Sequence, residues 1–286
     1  MVWYKRSSYY PGKRILIIGG SSGLGLSLAK DAKSRGCKVT ITARSLSSME
    51  ALQKEYALLS VDITDEKSVA SLPTDFDMIF CCAGYALPSL AKDIEILQVE
   101  RQLNCNFLGP VRVYLHFLQS ASPKHRKHLV LIASTLALHS FGGYGMYAPS
   151  KAALSSFYEA VECESSMQGL DLSIYYVSTI QSPGFIEEQK HKPLFTKKIE
   201  GSSMGTDSLP DNRAKHLLDS LPSTRIVYSD FITRLFSKSA HICSLADIFA
   251  VIISPVFWLG FKIFSYYMTH KYYPKTAKNN GLKKKE

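Results

Sequence analysis

The sequence predicts an α/β protein built on a doubly wound parallel sheet. Short apolar runs rich in β-branched residues alternate with helix-length segments. The runs are apolar on both faces, as strands covered from two sides must be, and the gaps between them leave room for crossover helices.

Six runs carry the prediction: RILII (14–18), KVTIT (38–42), ALLSVDI (57–63), DMIFCCA (77–83), HLVLIAS (128–134) and LSIYYVSTI (172–180). The first leads directly into GGSSGLG, where Gly19, Gly23 and Gly25 open a helix expected to reach about Arg35. Glycines let a backbone turn tightly and approach a pyrophosphate, and a helix N-terminus offers unpaired N–H groups at its positive dipole end. Strand, glycine loop and helix in that order predict a Rossmann-type dinucleotide site containing Ser21 and Ser22; a tight structural turn is the alternative. The second strand ends in TITARS, with Arg44 where an acid would select NAD. A cation there suits the 2′-phosphate, so NADPH is the expected cofactor, with a solvated loop arginine as the competing reading. Asp62, closing the third strand, can accept the adenine amino group or simply form a turn.

A long helix is expected from about Ile94 to Ser120, and another from about Tyr147 to Ser166. The fifth strand ends at Ser134, thirteen residues before Tyr147, with Lys151 four residues further on. Spacing alone carries little, because Tyr9 with Lys13 and Tyr267 with Lys271 repeat it. A phenol titrates near 10, and an adjacent ammonium is expected to lower that value. After the sixth strand a polar excursion begins at residue 182 and extends to about 225. It lies at a strand's carboxyl end, where such a sheet places its ligand-covering segment.

Charge divides the rest of the chain. The net charge is +10, yet residues 1–14 carry four basic and no acidic side chains, and 269–286 carry six lysines against Glu286. A nucleic-acid binder would spread its cations over a folded face, so two basic ends around a nearly neutral body point to an anionic membrane surface. Solvated tails are the alternative for the N-terminal end. ICSLADIFAVIISPVFWLGF (242–261) contains one charged residue, Asp247, and is membrane-like. The expected organisation is a basic segment over 1–13, an NADP-binding domain over 14–240, a membrane anchor over 241–268 and a lysine-rich cytosolic tail over 269–286. No apolar stretch of a secretory signal opens the chain, so the body is expected in the cytosol. Six cysteines without a Cys-x-x-Cys pair or zinc-ligand spacing read as buried reduced thiols, and no metal is expected.

Taken together, the glycine loop, Asp62, CCAG (81–84), NFLG (106–109), Ser134, Tyr147 and Lys151 resemble the short-chain dehydrogenase/reductase family over about residues 14–235. The resemblance implies a catalytic tetrad of Asn106, Ser134, Tyr147 and Lys151. Tyr147 would donate a proton to a ketone oxygen that Ser134 hydrogen-bonds, while Lys151 would hold the nicotinamide ribose. Asn106 would anchor a water relay, and Tyr144 would be a pocket wall. Tyr147 and Lys151 thus also count among the cofactor-binding residues, with Gly19, Ser21, Ser22, Gly23, Gly25, Arg44, Asp62 and Ile180. Departures from the family pattern are Ile18, Cys81 and Cys82 in place of two asparagines, and Val177 and Ser178 in place of Pro-Gly; Ile180 still serves the nicotinamide end.

Within that family the chain is most similar to the branch that reduces a long-chain keto-amine lipid, 3-ketodihydrosphingosine, with NADPH at the endoplasmic reticulum. The resemblance also implies a homo-oligomer. Glu187 and Glu188 are candidates to accept the substrate ammonium, or else a solvated charge pair. Competing readings are a membrane-bound reductase of steroids or retinoids, a non-catalytic NADP-binding scaffold, and a lipid-binding or tethering protein. Lys283 and Lys284 match a dilysine retrieval signal read in the cytosol. Two full spans need about 40 apolar residues at roughly 1.5 Å each, and Pro255 interrupts the apolar run. A monotopic anchor is therefore expected, with the catalytic body facing the cytosol.

Overall fold

Strand β1 (Arg14–Ile18) explains the architecture. Its alternate residues Ile15 and Ile17 point to one face and Leu16 and Ile18 to the other, and all four are fully buried. A computed structural model describes residues 9–200 and 206–237, with Leu259 and Ile263 as isolated positions beyond. In it β1 pairs in parallel with β2 (Lys38–Ala43) on one side and β4 (Met78–Cys81) on the other. The sheet continues through β3 (Ala57–Ser60) beyond β2. On the opposite flank it continues through β5 (Lys127–Ser134), β6 (Leu170–Val177) and β7 (Ile226–Tyr228). The strand order is β3-β2-β1-β4-β5-β6-β7, with every ladder parallel. The doubly wound Rossmann-type sheet is thereby confirmed.

Helices fill both faces. On one, α1 (Gly23–Ser34) and α8 (Pro210–Ser220) bury Leu28 and Leu217 against Ile15, Ile17, Phe80 and Val130. On the other, α4 (Gly109–Ser120) and α5 (Tyr147–Met167) bury Val113, Phe117, Leu154 and Tyr158 against Leu16, Ile79, Leu129 and Leu131. Each such aliphatic side chain contributes roughly 1.5–3 kcal/mol on burial. Tyr10, assigned above to the basic N-terminal segment, is buried in the first core and donates to the Leu218 carbonyl.

Several boundaries differ from the sequence reading. The third strand stops at Ser60, leaving Asp62 in a turn ahead of the short helix α2 (Glu66–Ala70). The sixth ends at Val177, so Ser178 to Ile180 form a loop. The expected helix over 94–120 is α3 (Ile96–Leu103), a π turn (Asn104–Leu108) and α4. The excursion is helical: α6 (Pro183–His191), started by Pro183 behind the Ser182 cap, and α7 (Leu194–Glu200). A last short helix, α9 (Phe231–Phe236), follows β7. Among the described residues no helix is long and apolar enough to cross a membrane. Apart from Leu259 and Ile263, the expected anchor over 241–268 and the tail over 269–286 lie outside the described residues, as do residues 1–8.

Candidate active site

Strand order reverses between β1 and β4, and the loops leaving the carboxyl ends of the strands part there. The resulting cleft encloses about 1260 Å³ and takes its walls from segments following β1 through β6.

Its β1 end is a glycine cradle. Gly19 has φ +82°, and a Cβ there would lie 2.7 Å from the Ala83 backbone nitrogen. A Cβ on Gly25 would meet the Gly19 carbonyl oxygen at 2.1 Å. Only glycine fits either place. Ser21, Ser22, Gly23 and Gly25 line the cleft, and the Ser22 side chain makes no cap bond to α1, so the start of that helix borders open space. The cradle suits a pyrophosphate. Arg44, exposed, and Asp62 line the same end. Asp62 Oδ1 accepts from the Thr64 hydroxyl at 2.7 Å and the Thr64 N–H at 2.9 Å, so the turn-forming role is realised. Those bonds, the hydroxyl's first, hold its carboxyl below the usual range.

The other end gathers the residues expected to react. Ser134 closes β5, where its Oγ accepts from the Leu136 N–H at 3.1 Å. Tyr147 opens α5 and is hydrogen-bonded to Ser134. One turn on, buried Lys151 donates from Nζ to the Ile132 carbonyl at 2.8 Å. Burial brings that lysine down to about 8. The expected lowering of the phenol by Lys151 is not found. Burial pushes Tyr147 up, the Ser134 bond opposes this in part, and the Glu188 carboxylate pushes the same way as burial. With Nζ held by Ile132 and 5.9 Å from the Tyr147 ring centroid, the ammonium does not outweigh burial.

Asn106 is fully buried in the π turn, behind the cleft wall. Its Oδ1 accepts from the Tyr85 N–H at 3.0 Å, and its Nδ2 donates to the Tyr85 carbonyl at 2.9 Å and to Ser150 Oγ at 3.1 Å. The side-chain amide therefore grips the loop after β4. A Cβ on Gly84 would lie 2.9 Å from Asn106 Oδ1 and 3.5 Å from Lys151 Nζ, so a glycine lets the two approach. Cys82 lines the cleft and Cys81 lies buried beside it, both thiols pushed up by burial. Ile180 also lines the cleft.

Two clusters join residues named from the sequence to partners that were not. Where Val177 and Ser178 stand for Pro-Gly, Arg213 from α8 donates to Ser178 Oγ and to the Ser229 carbonyl, each at 2.7 Å. Ser178 Oγ donates to Asp230 at 2.7 Å. Burial pushes Asp230 up, but bonds from Thr233, Ser178 and Ser229 prevail and hold it at about 2. This polar strap ties the loop after β6 to α8 and to the end of β7.

In the second cluster Tyr144 donates to Glu188 and Glu200, and Lys192 Nζ lies 2.8 Å from Glu188 and 2.5 Å from Glu200. Tyr144, Glu188 and Glu200 line the cleft. Glu187 does not, being 61% exposed and paired with Lys190 and His191. The spacing of Glu188 and Lys192 is a helical i,i+4 pair that the sequence displays. Nothing local announces Glu200.

A family model described as short chain dehydrogenase matches residues 13–193. Among curated relatives, the PIGF/3-ketodihydrosphingosine reductase fusion protein of Schizosaccharomyces pombe is 30% identical over 77% of this chain and 48% of its own length. The 3-ketodihydrosphingosine reductase TSC10 of Yarrowia lipolytica is 30% identical over 67% of this chain and 58% of its own. The 3-dehydrosphinganine reductase of Danio rerio is 28% identical over 67% and 64%. This chain thus spans about half to two thirds of the length of these relatives. In fold it is similar to a short chain dehydrogenase of Burkholderia cenocepacia in complex with NADP, at TM-score 0.67 and 17% identity over 80% of this chain and 92% of that one. A Burkholderia phymatum relative in complex with NAD superposes equally well, at TM-score 0.67, 16% identity and the same coverage. Sequence match, sheet order and cleft agree, and the chain belongs to the short-chain dehydrogenase family.

Proposed function

We propose that this chain reduces 3-ketodihydrosphingosine to dihydrosphingosine with NADPH. The observation that carries the reading is the half-buried Tyr147 phenol, bonded to Ser134 and one turn from Lys151, in a cleft that also holds the glycine cradle. The relatives' names support the substrate.

The residues fit a dinucleotide. Gly19 to Gly25 would hold the pyrophosphate on the N-terminus of α1, Arg44 the 2′-phosphate, and Asp62 the adenine amino group. Ile180 would flank the nicotinamide, and Lys151 its ribose. Bound NADPH supplies a hydride to the ketone carbon. The chain supplies everything else. Burial keeps Tyr147 protonated at neutral pH, the form a proton donor needs, and a developing alkoxide is basic enough to take that proton. Ser134 bonds the same oxygen, and Asn106, as a positioning residue, fixes the loop that backs Lys151.

The apolar run 242–261 and the basic ends support attachment to the endoplasmic-reticulum membrane by a monotopic anchor, with the catalytic body in the cytosol. Exposed Leu97, Leu108 and Leu115 along α3, the π turn and α4 support a homo-oligomer. The test is NADPH oxidation by the detergent-solubilised protein with and without 3-ketodihydrosphingosine. Oxidation that depends on the ketone and disappears in Tyr147→Phe, with NADPH binding retained, is expected; undiminished oxidation by Tyr147→Phe removes the proton donor from the reading.

A further inference from the structure

We propose that Glu188 and Glu200 form the subsite for the substrate's ammonium group, with Lys192 behind them as an internal counter-ion. The inference rests on the reading of the substrate as a long-chain keto-amine.

The subsite is built in layers. The Lys192 side chain is fully buried, whereas Glu188 and Glu200 keep 17% and 18% of their exposure. Both carboxylates line the cleft and Lys192 does not. One cation therefore stands behind two anions, and the face turned to the cleft carries a net negative charge. Tyr144 touches both carboxylates but has one proton to give, so it satisfies one of them at a time. A partly buried net charge is costly until a counter-charge arrives, and the side on which these carboxylates are open is the cleft.

The same walls already hold one ammonium, that of Lys192. Lys192 Nζ sits 5.5 Å from the centroid of the Tyr144 ring and 5.0 Å from that of Phe185, between aromatic faces and carboxylates. This is the chemistry that recognises an alkylammonium. Tyr144 and Phe185 both face the cleft as well.

Position completes the argument. The Tyr144 and Tyr147 rings lie 6.0 Å apart, centroid to centroid. In a 2-amino-3-ketone the nitrogen is carried by the carbon next to the carbonyl, so a ketone oxygen at Tyr147 brings the ammonium toward this wall. The arrangement also links recognition to chemistry. The charge of Glu188 is one of the causes that push the Tyr147 phenol up, and a bound ammonium would cancel it. A keto-amine would thereby make its own proton donor more acidic, which a ketone without nitrogen cannot do.

The experiment compares 3-ketodihydrosphingosine with the ketone of equal length lacking the amino group, using the full chain in detergent. The native protein should favour the keto-amine in kcat/KM by roughly ten- to a hundredfold, the worth of about one charge-assisted pair. Glu188→Gln and Glu200→Gln should each lose most of that preference, chiefly through KM, while Glu188→Asp keeps more of it. Separately from turnover, octadecylamine should bind the NADPH-loaded native protein more tightly than octadecanol, and the glutamine variants should erase the difference. NADPH binding reports folding; if Glu188→Gln loses it, Glu200→Gln and Glu188→Asp carry the comparison. A native protein that reduces the keto-amine while both glutamine variants keep the preference overturns the subsite and leaves the function standing. Equal turnover of the two ketones by the native protein also overturns the subsite. A native protein that reduces neither overturns the function and the subsite together.

Discussion

Lys151 is a cation that the site holds out of water. Burial takes its ammonium from 10.5 to about 8, a difference corresponding to ~3 kcal/mol. The sign follows from proton counting. Below about pH 8 the group is charged both folded and unfolded, and the full penalty acts on the fold. Between about 8 and 10.5 the unfolded chain holds a proton that the folded chain lacks, so stability rises with pH. Lys151→Met should therefore melt above the native protein at pH 7 in the absence of cofactor, the lost bond to Ile132 offsetting part of the gain, and the gap should close toward pH 10.5. A gap that does not change with pH would mean the ammonium is solvated. At the other end of the cleft, Arg44→Ala should weaken NADPH by about 1.5–3 kcal/mol and NADH far less. Equal losses in cofactor titrations would make Arg44 a structural residue.

Elements were legible where the chain states its own surroundings. RILII reads as a strand because both faces are buried, and β1 has the expected limits. IVY (226–228) gave no such signal: it is three residues long, its first residue is exposed, and only its place beside β6 makes it a strand. The π turn is equally silent, since NCNFL continues a helical pattern on both sides; its Asn106 was placed only through resemblance. Ser134, Tyr147 and Lys151 could be read because they follow one another along β5 and α5. The wall of Tyr144, Glu188 and Glu200 could not, because its partners lie 44 and 56 residues apart and meet only when α6 and α7 fold back. Widened helical turns recur at functional positions, and here the turn gives Asn106 three bonds. Asn106→Ala should cost on the order of 1–3 kcal/mol by orphaning the Tyr85 N–H and carbonyl. Asn106→Asp keeps an acceptor for the Tyr85 N–H but sets a buried carboxylate oxygen against the Tyr85 carbonyl, so it too should melt below the native protein. Identical melting of all three would show that the amide grips nothing.

At the scale of the molecule, attachment and catalysis should separate. Deleting residues 242–286 should move the protein from the membrane pellet to the supernatant. If it stays in the pellet, the exposed Ile186, Leu194 and Ile199 of the excursion, flanked by Lys190, Lys197 and Lys198, become the anchor. In intact microsomes protease should reach both the body and a C-terminal epitope, and protection of one alone would establish a single span. The order of strands has a different consequence, for synthesis. β1 is made first yet lies inside the sheet, with β2 on one flank and β4 on the other. The loop that follows it rests on Ala83 through Gly19 and approaches Ser182 through Gly23. On the ribosome the glycine loop thus emerges well before its floor at Ala83 and its wall at Ser182. Until Ser182 has left the exit tunnel, the nascent chain carries the signature of a nucleotide cradle without the means to close one.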